Sequence, residues 1–291
     1  MKKLLFLLGL FCGNQLFAQQ SNFVNQQPIH IDKSDSLRWS NVPQLKYDKT
    51  KGAKSLPIYW DNSKNCYFPD LLKKSQSIAN CGQFSGVRNA YSYELNRLLN
   101  RTSKTNQHVF STTFNVITTA HGYAEHTLKT WENMKSIGCL TEIDFPQEVG
   151  NAYAINTGSE FTYNRYDSKY LNGYDWYYKA MQNQVDDYFS IPLNSEEGIL
   201  TMKHWLYDHL EGDSVGGIGI IYLGMPYPLP VISTGYDIGK ALITTFTTYP
   251  SHSLAIVGYD DRIEWDYNQD GQITNDIDIT GQLPVLEGVI Q

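Results

Sequence analysis

The sequence predicts an α+β protein, and three observations carry that prediction. Apolar residues recur at steps of three and four through the first two-thirds of the chain. After Gly212 the pattern changes to short β-branched and aromatic runs split by Gly and Pro. The two patterns are segregated, not alternating as in a doubly wound α/β fold. The chain has 291 residues and is 41% hydrophobic and 13% aromatic, enough for one large domain or two modest ones. Disorder, collagen and coiled coil are excluded as whole-chain descriptions. A net charge of -7 and the lack of a Lys/Arg block argue against nucleic acid as a partner.

The elements follow in chain order. Residues 1–18 read as a secretory signal: Lys2 and Lys3, an apolar run from Leu4 to Phe11, and Ala18 at the cut. Bulky Phe11 before Cys12 argues against a lipidated cysteine. No later stretch approaches the ~20 apolar residues of a membrane span. The mature chain is therefore expected to be a soluble monomer that is secreted, periplasmic or at the cell surface. Residues 19–54 are polar and without a sustained period, and read as a leader or linker. Ser55 to Asp70 carries Pro57 and Pro69 and should be extended and packed.

Phe84, Val87, Tyr91, Leu95 and Leu98 predict a helix, with Cys81 at or near its N-terminus. A second helix is predicted from His126 to Ile137, stopped by Gly138, and a third from Asp175 to Tyr188. Ser195 should cap a fourth. Glu196 and Glu197 suit its positive end, Ile199, Met202, Leu206 and His209 line one face, and Gly212 ends it. Strands are predicted over Ile218–Leu223, Ala241–Thr248 and Leu254–Tyr259.

Two residues stand out chemically. A thiol at a helix N-terminus is stabilised as thiolate by unpaired N–H groups and the helix dipole, which gives Cys81 the setting of a nucleophile. Its own N–H would face a developing oxyanion, and the side-chain amide of Gln76 could donate a second bond. His252 opens the run through Tyr259, which predicts an imidazole at a strand start on a sheet rim. The bland alternatives are a core cysteine and a satisfied histidine. Cys66, Cys81 and Cys139 remain after the leader, an odd number that leaves at least one thiol unpaired.

Four stretches in order resemble the papain-like cysteine peptidases. Leu56-Pro57-Ile58-Tyr59-Trp60-Asp61 resembles the start of the mature enzymes. Gln76 through Cys81-Gly82-Gln83-Phe84-Ser85 resembles the Gln…Cys-Trp-x-Phe-Ser segment. Gly138-Cys139-Leu140-Thr141-Glu142-Ile143-Asp144-Phe145-Pro146 resembles Gly-x-x-Thr-Glu-x-x-Tyr/Phe-Pro. Ser251-His252-Ser253-Leu254-Ala255-Ile256-Val257-Gly258-Tyr259 resembles x-His-Ala-Val-x-x-Val-Gly-Tyr.

The resemblance implies a two-lobed papain-like domain over residues 55–291, with a helical lobe led by Cys81 and a β-rich lobe led by His252. It implies a peptidase acting on peptide or protein substrates through Cys81 and His252, with Gln76 on the oxyanion. The chain departs from the pattern in several places. Gly82 replaces the Trp, Ile78-Ala79-Asn80 replaces the usual approach, and Gln76 is one residue closer to the thiol. The Asn of the later Asn-Ser-Trp-Gly segment has no counterpart, since only Asn268 and Asn275 follow His252. The expectation is that this Asn lies beyond Gln291, with Val285–Gln291 left as an unpaired edge. The alternative function is a papain-like binding module without turnover, or a surface module organised by calcium.

The calcium expectation rests on the stretch from Asp266 to Asp278. Asp266, Asn268 and Asp270 fall at positions 1, 3 and 5 of a calcium loop, Gly271 at 6, Gln272 at 7 with its carbonyl, and Ile273 at 8. Position 12 is Ile277, flanked by Asp276 and Asp278, which could substitute for the missing carboxylate. A Ca²⁺ there would be structural.

Overall fold

The computed structural model describes residues 33–70, 80–118, 127–146, 154–157, 160–163, 174–224, 247–262 and 289–290. Helix and strand are both present, in keeping with an α+β fold. The stretch expected as a leader contains helix α1, Lys33–Ser40. The chain beyond it is fastened to the body by contacts spread along residues 43–53. Leu45 N–H donates to Ser190 O at 2.9 Å, and Tyr47 stacks on His204 with ring centroids 3.6 Å apart. Isolated anchors of this kind leave no hydrophobic period in the sequence.

Strand β1, Tyr59–Asp61, pairs antiparallel with β7, Gly258–Asp260. A side chain at Gly258 would place Cβ 2.0 Å from Trp60 O, so only glycine lets the two backbones approach. The buried Asn62 follows β1 and donates to Leu206 O and Gly217 O, both at 2.7 Å.

One continuous helical segment then crosses the core. It consists of α2 (Cys81–Gln83), a π-helical stretch (Phe84–Tyr91) and α3 (Ser92–Leu98). Trp131 Nε1 donates to Gly86 O at 3.2 Å, an outside donor on a carbonyl of the widened stretch. Widened turns of this type recur at functional sites. Helices α4 (Thr112–Thr118) and α5 (Thr127–Ile137) pack beside it. Val87, Tyr93, Phe110, Phe114, Met134 and Leu140 form the shared core, and Cys81 belongs to the same cluster.

Gly138 ends α5 at φ +72°, as its position in the sequence predicts. Strands β2 (Ala154–Thr157) and β3 (Glu160–Tyr163) form a separate antiparallel pair. The third predicted helix is shorter than expected: α6 covers Tyr174–Ala180. Cys139 N–H donates to Ala180 O at 3.1 Å and Asn183 O at 3.0 Å, so tertiary donors take carbonyls that a longer helix would use.

Helix α7, Glu196–Asp208, starts as expected, with Ser195 Oγ accepting from Gly198 N–H at 3.1 Å. It closes earlier than Gly212, at His209, which is left-handed at φ 56°. Met202 and Leu206 of α7 pack with Ile191, Ile256 and Tyr259 in a second core cluster. A four-stranded sheet has the order β4 (Ile191–Pro192), β8 (Val289–Ile290), β5 (Gly219–Gly224), β6 (Thr247–Ile256). Strand β8 therefore lies inside the sheet, Ile290 pairing with Ile191 and Ile221 and Val289 with Pro192, which corrects the expectation of an unpaired edge for these two residues. No helix among the described residues is long and apolar enough to cross a membrane.

Candidate active site

Cys81 opens α2, as the sequence predicts, and it is only 3% exposed. The backbone of Ser253, of Gly82 and of Cys81 itself favours its thiolate. The Ser253 contact matters most for placement. It brings the strand that carries His252 against the start of the helix that Cys81 opens, across a sequence gap that the local pattern could not bridge.

A second bond ties the same two elements. Ser85 Oγ and Ser253 Oγ lie 2.5 Å apart, both buried. Ser85 also reaches back along its own helix, donating to Cys81 O at 3.0 Å or Gly82 O at 3.2 Å.

The protonation states differ from the expected thiolate. Burial pushes the Cys81 thiol up to about 11, and the three backbone groups pull the other way without prevailing. Burial also lowers His252 to about 4. Near neutral pH this conformation therefore holds a thiol and a neutral imidazole, not a thiolate–imidazolium pair. The N-terminal helix position argues for the charged form, but here desolvation is the larger effect.

His252 also sits differently from expectation. It lies within β6, opposite Leu223 of β5, and not at a strand start. The ladder is irregular where Leu223 gives way to Gly224, whose partner is Thr247. The imidazole thus stands at the break in the β5–β6 pairing, a place where a strand is re-aimed.

Other expected site residues are not brought into this geometry. Gln76 lies outside the described residues, as do Asp266, Asn268, Asp270, Gln272, Asp276 and Asp278 of the acidic loop. Among the described residues no group of three or more His, Cys, Asp or Glu could hold a metal ion. All three described cysteines are free; Cys66 is exposed, and Cys139 is buried like Cys81.

Sequence reasoning missed two residues beside the thiol. Ser253 contributes both a backbone donor and a hydroxyl, and its only signal was that it stands where the resembled motif has Ala. Asn80 precedes Cys81 and is 0% exposed, and neither its Nδ2 nor its Oδ1 has a hydrogen-bond partner among the described residues. A cavity of about 140 Å³, lined by Tyr91, Glu94, Trp131, Tyr188 and Trp205, is elsewhere.

No family model and no curated protein matches this chain. Among solved structures, a match is xylellain, a cysteine protease from Xylella fastidiosa. It is 13% identical, over 82% of this chain and 80% of that one, with a TM-score of 0.49. At this distance the chemistry has to be argued from the residues themselves.

Proposed function

We propose that the chain is a secreted, monomeric cysteine-type peptidase with a papain-like two-lobed arrangement. The observation that carries this reading is the 2.5 Å bond between the hydroxyls of Ser85 and Ser253. It sets the neighbour of the imidazole in the resembled motif against the helical segment that Cys81 opens. In the reaction, the Cys81 proton moves to His252 and the sulfur attacks a peptide carbonyl. The imidazolium then protonates the leaving amine, and water clears the thioester.

An imidazole at about 4 does not take a proton from a thiol at about 11. The proton transfer therefore requires a more solvated site than this conformation has, with substrate or a local opening raising the histidine and lowering the thiol. The same observation favours a second reading, a papain-like binding module without turnover.

A peptidyl epoxide and a generic peptide substrate separate the two. The peptidase reading expects the epoxide on Cys81 and not on exposed Cys66. It also expects peptide hydrolysis that disappears in both Cys81→Ala and His252→Ala. Hydrolysis surviving in Cys81→Ala would overturn it. A folded wild-type chain that neither cleaves nor takes the epoxide establishes the binding module instead.

A further inference from the structure

The hydroxyl pair at the helix–strand junction has a direction that can be derived. Ser85 has one hydroxyl proton, and it lies within hydrogen-bond distance of Cys81 O and Gly82 O. Donation into its own helix leaves the Ser85 oxygen as acceptor toward Ser253. The Ser253 hydroxyl is then the donor across the 2.5 Å gap.

The consequence reaches the sulfur by two routes. The Cys81 carbonyl and the Gly82 N–H belong to one planar peptide unit. Holding the Cys81 oxygen therefore holds the Gly82 N–H, which is one of the donors to the thiol. The Ser253 residue supplies another donor from its own backbone. Its side-chain bond to Ser85 fixes how close that N–H stands. Two of the three groups on the sulfur are thus positioned by one pair of serines.

We propose that Ser85 and Ser253 form a positioning couple, in which their hydroxyl–hydroxyl bond aims the Gly82 and Ser253 N–H groups at the Cys81 sulfur and registers the His252 strand against the nucleophile helix. This rests on the peptidase reading only for its use in turnover. The positioning itself concerns the thiol and can be read without any substrate. Neither serine hydroxyl touches the reacting atoms in this scheme; both act through the backbone. The donors favour the thiolate over the thiol, so a loosened couple leaves the sulfur harder to ionise.

The test is alkylation of Cys81 by iodoacetamide in the full chain, in a Cys66→Ser background, followed by mass spectrometry from pH 8 to 11. Buried Cys139 serves as the internal monitor of general loosening. Ser85→Ala and Ser253→Ala are each expected to slow Cys81 labelling at pH 9 by about threefold to tenfold, the effect of losing part of a hydrogen bond to the charged form. Cys139 labelling should not change. The double variant should be no slower than the slower single variant, because both remove the same bond. Ser253→Thr keeps the hydroxyl and should restore the rate.

An unchanged or faster Cys81 rate in both single variants overturns the proposal. So does a parallel change at Cys139, or a double variant slowed by the product of the two single effects. If an alanine variant does not fold, the Ser253→Thr and wild-type pH profiles decide: they should coincide, and a separation of one pH unit or more overturns it. Peptide hydrolysis is measured alongside. A chain that shows the labelling pattern without hydrolysis keeps the couple and loses the peptidase reading. Hydrolysis without the labelling pattern does the reverse.

Discussion

Two buried cysteines in one core show how little burial alone says about a thiol. Cys81 is 3% exposed and Cys139 is 0% exposed, and burial raises both above the ordinary thiol range. Their polar neighbours differ. The backbone of Ser253, Gly82 and Cys81 itself pulls the Cys81 thiol down. Cys139 is pulled down as well, by the Asn115 side-chain amide, whose Nδ2 donates at 2.7 Å, and by the backbone of Ser111 and Leu140, but the Glu142 carboxylate adds an upward push that Cys81 lacks. Carbonyls and carboxylates favour the thiol, N–H groups the thiolate. Burial suppresses the charge at both sites, and the Glu142 carboxylate holds the second further from the thiolate.

The strongest way to break this contrast is turnover. Cys81→Ser should reduce peptide hydrolysis by at least a thousandfold, the loss expected when a thiolate nucleophile is replaced by a neutral hydroxyl. Cys139→Ala should leave hydrolysis of the folded fraction within about twofold. It should cost about 1–3 kcal/mol of stability in urea, because the Asn115 amide loses its buried partner. Equal losses of activity at the two sites would remove the distinction.

The next largest effect is in labelling order. With iodoacetamide and no substrate, exposed Cys66 should react first, then Cys81, then Cys139. For a thiol at about 11 the thiolate fraction at pH 8 is about one in a thousand, so the Cys81 rate should still be rising at pH 10. A plateau below pH 9 would mean that the N–H donors outweigh burial.

Gly138 tests the scaffold on the Cys139 side. Its φ of +72° and a Cβ position 1.8 Å from Ala180 O leave no room for a side chain. Gly138→Ala should destabilise the chain by about 3 kcal/mol or more, within the range of severe backbone and packing conflicts. A loss below 1 kcal/mol would show that the α5–α6 contact yields easily.

His252 sharpens the Cys81 side through pH. Its folded value, about 4, is below the ordinary 6.5. The folded state then binds fewer protons than the unfolded one between those values. Its contribution to stability is fully present above pH 6.5 and is lost as pH falls toward 4. The loss should be about 3 kcal/mol, and urea midpoints across that range should show it. His252→Gln should flatten the profile, and an unchanged profile would mean the imidazole is not desolvated.

The smallest effect is expected at Asn80. Its buried carboxamide has no hydrogen bond to lose among the described residues, and leaving such a group unsatisfied costs about 1–3 kcal/mol. Asn80→Ala should therefore change stability by less than about 1 kcal/mol, the relief offsetting the lost packing. A larger destabilisation would show that the amide is held by contacts of its own.

What the sequence determined by itself was local. The period from Phe84 to Leu98, the stop at Gly138 and the Ser195 cap each depend on neighbours within one or two turns, and each was legible. So was Cys81 at a helix start. The tertiary structure decided what depends on distant groups. Tyr188 lies outside α6 because Cys139 N–H takes the carbonyl of Ala180. Residues 33–54 contain a helix and anchors on Ser190 and His204 that no period announces. His252 sits inside its strand because β5 pairs beyond it. Most of all, the charge state of the site was not readable, because a helix N-terminus is a feature of sequence while desolvation is a property of everything packed around it. Only the fold brings Ser253 to Ser85 and buries the Cys81 thiol, and that burial is the larger of the two effects.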